Sequence, residues 1–278
     1  MRLSNWLIIL FTATAIVSCK AQQQSVNTTS RPGAPTAFPG AEGFGKFTTG
    51  GRQGKVMIVT NLQDDGPGSF RKAVTANGRR IVVFAVSGTI HLERTCAIKG
   101  DITIAGQTAP GAGICLADYP VTVSGDNVII RFLRFRMGDR FQNRGKVDGG
   151  GSDDAFSATR RKNIIIDHCS MSWSTDEVCS VYAGDSTTLQ WNILSEPLNY
   201  SYHFETGDTD FEKNGFGGIW GGRHLSAYHN LFAHCSNRTP RFDGIRNAPE
   251  ENVDYRNNVI YNWGSNNVYA GRVVRITS

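Results

Sequence analysis

Six segments of the chain share one short pattern, and together they restrict its architecture more than any other feature. They read DITIAGQT (101–108), NVIIRFLRFRM (127–137), NIIIDHCSMSW (163–173), TTLQWNILSE (187–196), HLSAYHNLFAH (224–234) and NVDYRNNVIYNW (252–263). Each opens on a polar residue, runs through β-branched or aromatic residues at alternate positions, and gives way to a loop. Alternation with a period of two marks a half-buried strand. Aligned, the segments bring Gly106, Leu133, His168, Asn192, Asn230 and Asn258 into register, 24 to 38 residues apart. A unit of that length cannot bury its own apolar face and becomes stable only when stacked on its neighbours. Leucine-rich repeats would need their leucine pattern, and propeller blades about four strands per repeat. Short strands, irregular spacing and an Asn recurring near a fixed turn predict an all-β protein, a right-handed parallel β-helix. Loops of variable length on one face would form its binding cleft.

Composition agrees. Apolar residues make up 40% and charged residues 19% of the 278, and there are 31 glycines, a turn-rich balance too polar for a membrane bundle. A net charge of +5 without basic tracts permits a polyanionic partner and does not call for nucleic acid. No zinc-type Cys/His spacing, P-loop or dinucleotide fingerprint is present.

The start, MRLSNWLIILFTATAIVSCKAQQQ, has a basic residue, an apolar stretch and small residues before Cys19, the order of an export signal. IVSC resembles a bacterial lipobox, which predicts a signal over 1–18, lipidation of Cys19 and an outer-membrane-anchored protein. Ordinary cleavage after Ala21, giving a periplasmic or secreted protein, is the alternative. Residues 19–36 read as a flexible tether and 37–278 as the β-helix domain. Five further cysteines, an odd number at irregular spacing, predict buried free thiols rather than a disulfide framework.

Acidic residues gather in DGGGSDDAFS, with Asp148, Asp153 and Asp154, and in SWSTDEVCS, with Asp176 and Glu177. Coils of a β-helix lie one strand spacing apart, about 4.8 Å, so acids at the ends of neighbouring rungs can converge on one ion. Carboxylates without thiolates suit a hard cation such as Ca²⁺, although Asp also caps turns. Asp167 and His168, inside a rung, read as a hydrogen-bonded ladder rather than a catalytic pair. GFGGIWGGRH (215–224) lacks the context of a nucleotide loop and predicts a close backbone passage, with Phe216, Ile219 and Trp220 covering the core or Trp220 stacking on a sugar. SNRTPRFDG (236–244) sets Arg238 and Arg241 around a proline, as surface charge or as a clamp for an anion.

Taken in order, DDAF, NIIIDHCSMSWSTDE, GFGGIWGG, SNRTPRFDG and VIYNWG resemble the bacterial pectate lyases of polysaccharide lyase family 1, over roughly residues 37–271. That resemblance implies a right-handed parallel β-helix, dependence on Ca²⁺, and cleavage of α-1,4-linked galacturonan (pectate) by β-elimination. It places the Brønsted base on Arg238 and a substrate-carboxylate clamp on Arg241. Lys213 is the nearest counterpart of the family's substrate lysine, and the metal ligands fall on Asp153, Asp154, Asp176 and Glu177. An arginine base requires neighbouring positive charge to disfavour its protonated form, which implies an alkaline optimum. A monomer acting on a polyanionic polysaccharide follows. A lyase for another uronate polymer, a galacturonan hydrolase using Asp153 with Asp176, and a non-catalytic carbohydrate-binding β-helix are the competing readings. The ending RVVRITS fits neither the repeat nor a capping helix and predicts a solenoid truncated at its C-terminal end.

Overall fold

The computed structural model describes residues 33–141, 154–201, 213–243 and 250–270. Its strands stack into three faces of a parallel β-helix. The first face carries Lys55–Val59, Arg80–Phe84, Ile102–Ala105, Val128–Arg131, Lys162–Asp167, the second half of Cys179–Gln190, Leu225–Tyr228 and Val253–Arg256. The second carries Gly88–His91, Ile114–Ala117, Leu133–Arg136, Ser170–Ser172, Ile193–Ser195, Leu231–Ala233 and Val259–Tyr261. The third runs through Cys96–Ile98, Val121–Val123, Phe156–Ser157, the first half of Cys179–Gln190, Ile219–Gly222, Arg241–Phe242 and Tyr269–Ala270. Every pairing between these strands is parallel.

Alternation along each rung explains the core. On the first face Ile104, Ile130, Ile166, Leu189, Ala227 and Tyr255 stand in register and point inward, each at most 9% exposed. Burying one such aliphatic side chain contributes about 1.5–3 kcal/mol, and stacking lets each coil shield the next. The outward column at the intervening position, Thr103, Ile129, Ile165, Thr188 and Ser226, is covered by the segment before the first strand. Thr188 Oγ1 accepts from Gly45 N (2.9 Å), Ser226 Oγ from Phe44 N (3.0 Å) and Gln190 Oε1 from Glu42 N (2.9 Å), while Phe38 and Ala41 pack on Ile129 and Ile165.

A short helix, Phe70–Thr75, packs against Lys55–Val59 and Cys96–Ile98 near the start of the stack. Ser69 caps it by accepting from Lys72 N, and Phe70 and Val74 are fully buried. Buried Arg80 holds the end of this helix by donating to the carbonyls of Ala73, Val74, Gly78 and Gly100. None of the described helices is long and apolar enough to cross a membrane.

The turn from the first to the second face carries an amide ladder. Asn192 Nδ2 donates to Asn230 Oδ1, and Asn230 Nδ2 to Asn258 Oδ1, both at 2.9 Å. The sequence register needs one correction here. Asp167 pairs with Gln190 and Ser170 with Ile193, so Cys169, not His168, stands at the level of Asn192 and Leu133. Gly106 likewise sits one position early, following Ala105, the partner of Arg131. Each of these coils has a corner residue before the ladder. Phe132, His168, Trp191 and His229 occupy that corner with φ between 53° and 58°, and their rings stack on the outside at 4.7, 6.0 and 4.3 Å.

The Asp167–His168 pair is structural. Asp167 is fully buried on the first face and accepts from Arg131 Nε (2.7 Å) and Gln190 Nε2 (2.8 Å), with His168 Nδ1 at 2.9 Å. All five cysteines beyond Cys19 are free and buried. Burial pushes the Cys96 thiol up to about 11 and those of Cys169 and Cys235 up to about 12, which leaves them inert as nucleophiles at neutral pH.

Candidate active site

The acids and arginines singled out in the sequence belong to four successive approaches to the third face. Asp154 precedes Phe156–Ser157, Asp176 and Glu177 precede Cys179–Gln190, Phe216 precedes Ile219–Gly222, and Arg238 precedes Arg241–Phe242. Parallel bridges join Glu177 to Phe216 and Phe216 to Asn237, and Ala155 N donates to Glu177 O. Stacking of the coils thus brings residues from four distant segments to one place.

Carboxylate oxygens of Asp154, Asp176 and Glu177 lie within 4.8 Å of one another. Asp154 and Glu177 are 5% and 3% exposed, and Asp176 is mostly buried. Glu177 N donates to Asp154 Oδ1 at 3.2 Å, which fixes the Asp154 carboxylate over the next coil. Three negative charges at this separation repel one another and demand positive charge nearby. Arg238 supplies part of it. Its Nη1 pairs with Glu177 Oε1 and lies 3.8 Å from Asp176 Oδ1.

Arg238 is aimed by its surroundings. It adopts φ 55°, its amide donates to Asn237 Oδ1 at 2.6 Å, and its guanidinium lies 3.9 Å above the Phe216 ring. The Thr239–Pro240 peptide that follows is cis. Phe216 therefore supports the arginine rather than covering the core, as the sequence suggested. Ile219 and Trp220 are core residues: Trp220 is fully buried, donates to Cys179 O at 3.0 Å and packs on Phe232, so it stacks on no sugar.

The glycines of GFGG form the expected close passage. A Cβ on Gly217 would come within 2.4 Å of Arg238 O, and one on Gly218 within 1.9 Å of Cys179 O. Only glycine lets three coils approach this closely beside the acids.

Arg241 faces outward from its strand, because its neighbour Phe242 is 2% exposed and points in. Its side chain has no hydrogen bond or ion pair among the described residues, so a guanidinium is left open to an anion. Lys213 is exposed on a bridge with Tyr200 and makes no described contact with the acids. Asp153 and Asp148 lie outside the described residues. The structure thus brings Asp154, Asp176, Glu177 and Arg238 together, with Arg241 on the same face. Nothing in the sequence flagged Phe216 and Asn237 as supports for Arg238, since only the stacking of rungs makes them neighbours.

Such a cluster, carboxylates and guanidiniums at the rim of one face, suits a cation and an anionic substrate together. Known proteins point the same way. No family model matches the chain. It is 39% identical over 236 residues to the probable pectate lyase C of Aspergillus terreus, covering 84% of this chain and 49% of that protein. It is 37% identical over 262 residues to the probable pectate lyase C of Neosartorya fischeri, covering 92% and 54%. Pectate lyase 5 of Ambrosia artemisiifolia is 31% identical over 191 residues, 63% of this chain and 47% of that protein. The chain spans about half the length of the curated relatives it matches. These are fungal and plant proteins, so they support the pectate lyase part of the motif reading and not its bacterial subdivision.

Among solved structures, the cedar pollen allergen jun a 1 superposes with a TM-score of 0.58 at 18% identity, covering 82% of this chain and 68% of that one. A pectate lyase of Bacillus sp. N165 in complex with trigalacturonate gives 0.57 at 15% identity, covering 85% and 73%. Those likenesses establish the fold. The chain is a parallel β-helix protein and a homologue of the fungal pectate lyases across about half of their length.

Proposed function

We propose that this chain is a Ca²⁺-dependent pectate lyase, cleaving α-1,4-galacturonan by β-elimination to give 4,5-unsaturated oligogalacturonides. One observation carries the reading: three carboxylates and Arg238 converge at the ends of adjacent rungs in a homologue of pectate lyases. The donor set fits the ion. It consists of carboxylate oxygens without thiolate or imidazole, the preference of a hard cation, and its buried charge exceeds what one guanidinium can balance. Asp154, Asp176 and Glu177 would hold Ca²⁺, and Asp153, the residue before Asp154 in the sequence, is the fourth candidate ligand. Bound there, the ion would neutralise the uronate carboxylate next to the reacting carbon.

Arg241, open on the same face, would grip that carboxylate with its fork of donors. Arg238, the proposed base, would loosen from Glu177, lose its own proton to water as the neighbouring positive charges disfavour its protonated form, and in the neutral form take the proton from C5. The electron pair left at C5 forms the C4–C5 double bond, and the glycosidic oxygen leaves from C4 and takes a proton from water. Charge developing on the carboxylate side of C5 is met by groups already in place, which is how electrostatic preorganisation lowers a barrier. Lys213, on the exposed bridge with Tyr200, would contact substrate further out.

Glycosidase chemistry fits less well. The pair raised for it, Asp153 with Asp176, includes a residue outside the described part of the chain. Such a mechanism also leaves Arg238 without a task. The finer assignment, an exported bacterial lipoprotein of polysaccharide lyase family 1, rests on the IVSC motif and the motif blocks of the sequence, and a monomer is the proposed state. Mass spectrometry of the mature N-terminus tests the lipid on Cys19.

The activity test is direct. Polygalacturonate is incubated with the protein, with and without Ca²⁺, and the ultraviolet absorbance of unsaturated uronate is followed. Absorbance that grows only with Ca²⁺ is the expected outcome. New reducing ends without absorbance would make the protein a hydrolase, and no product at all a binding module.

A further inference from the structure

The outer surface of the second face holds an open groove of about 520 Å³. Its floor is made by three rungs, Gly88–His91, Ile114–Ala117 and Leu133–Arg136, and Trp173 stands at its wall. Leu133 and Phe135 point into the core at 1% exposure, so alternation turns Arg134 and Arg136 outward into the groove, and Arg140 joins them from the turn that follows. Three guanidiniums therefore line one concave surface.

Little on the described chain neutralises them. The one carboxylate in the lining, Asp118, is 2.7 Å from His91 Nδ1 and engaged there. Arg134 and Arg140 meet no carboxylate among the described residues. Arg136 is held in place by bonds to Ser170 O (2.9 Å) and Ser170 Oγ (2.6 Å), neither of which carries charge. Burial lowers its pKa from the ordinary value, with Arg134 adding to the effect and Cys115 opposing it. Beside it the Trp173 ring is 49% exposed, with the Arg136 guanidinium 5.8 Å from its centre.

A half-exposed indole next to a fixed guanidinium, with a second one in the same groove, is a pairing that can recognise an acidic sugar: the ring stacks on the apolar face of the pyranose, and the forks take its carboxylate. The geometry points to a second, non-catalytic binding site on this face for an acidic oligosaccharide, with Arg134 and Arg136 as carboxylate receptors and Trp173 as the stacking platform. The groove is of the size of a small-ligand site. Its rungs belong to the second face, whereas the acids and Arg238 precede strands of the third. The site needs no metal ion, and it stands apart from the lyase reading.

Calorimetric titration of trigalacturonate into the full chain in EDTA tests it, because removal of divalent cations silences the proposed catalytic cluster. Saturable binding is expected, weakening as salt rises. Arg134→Ala should weaken it by about tenfold or more, and Trp173→Ala by roughly fivefold or more, both with unchanged thermal unfolding. Arg134→Ala should also keep the Ca²⁺-dependent rate of absorbance growth on polygalacturonate, if that rate is found. Maltotriose should not bind. Three results would overturn the site: wild-type affinity in both variants, no binding in EDTA, or displacement of trigalacturonate by equimolar inorganic sulfate, which would reduce the groove to an unselective anion pocket. Failure of the lyase reading would appear instead as absent absorbance with the EDTA binding intact.

Discussion

Two columns of polar side chains run through this β-helix, and they settle in opposite ways. At the turn after the first face, Asn192, Asn230 and Asn258 pass hydrogen bonds from coil to coil. Each amide also reaches backbone: Asn192 Nδ2 donates to Ile166 O, Asn230 Nδ2 to Leu189 O and Asn258 Nδ2 to Ala227 O. An amide has both donors and acceptors, so a stack of them can satisfy itself. Before the third face, Asp154 and Glu177 stack in the same manner, with Asp176 beside them. Ionised carboxylates only accept, so this column cannot close on itself and repels along its length. A solenoid repeats either column with equal ease. Only the incomplete one is left short of positive charge, which Arg238 meets in part, and that difference separates scaffold from site.

The largest effect should come from the guanidinium. Arg238→Lys keeps the positive charge over Phe216 and loses the planar fork. Turnover on polygalacturonate should fall by at least about 10²- to 10⁴-fold, the range for loss of a proton-transfer group, while binding of the polymer stays largely intact. Steady-state absorbance assays beside equilibrium binding would show this. Binding that falls in step with turnover would make Arg238 a substrate clamp.

Asp154→Asn turns one member of the acid column into an amide. Its side-chain oxygen can still accept from Glu177 N, so the fold should persist. Saturation of the wild type with Ca²⁺ at about 100 times its Kd should stabilise it by about 2.7 kcal/mol, and the variant should lose most of that gain. Thermal unfolding with and without Ca²⁺ reads both. An unchanged Ca²⁺ shift in Asp154→Asn would move the ion elsewhere.

The converse change belongs in the ladder. Asn230→Ala removes the acceptor for Asn192 N (3.0 Å) and Asn192 Nδ2 (2.9 Å), both buried. A buried donor left unmet costs about 1–3 kcal/mol, so the melting temperature should drop while the Ca²⁺ shift stays as in the wild type. If Asn230→Ala altered that shift, the two columns would be coupled and the contrast between them would fail.

The sequence made the ladder more legible than the site. Period-two alternation identified the rungs because burial on one side of a strand imposes it, and three asparagines at one turn announced their column. The alternation identifies a rung but not its exact register, and Cys169 stands where His168 was aligned. Arg238 and Glu177 were each visible in a motif, yet their pairing across 61 positions follows only from how many residues the intervening loops spend. The cover over the first face was hidden for the same reason: Gly45 and Thr188 are 143 residues apart. Arg134 and Arg136 looked like the polar half of an ordinary strand. That they share a groove with Trp173 depends on the rungs above and below them.

A third arrangement of neighbouring acids lies at the turn from the third face back to the first, and a proton settles it. Glu251 is 7% exposed, and its pKa is pushed up to about 7 by burial and then by the charge of Asp243, against a smaller lowering by the Asp243 backbone amide. The neutral acid is favoured in the folded chain, so the native state binds more protons than the unfolded one between the ordinary value of 4.5 and about 7. Stability should therefore fall as pH rises through that window and level off above it. Glu251→Gln keeps the shape, removes the charge and should flatten this slope, raising the melting temperature at pH 8 by roughly 2–4 °C for each kcal/mol recovered. Melting curves from pH 4.5 to 8 would check it. A wild type and variant with parallel pH profiles would mean that Glu251 stays ionised in the fold, which would make it a member of the incomplete class, an acid still waiting for its cation.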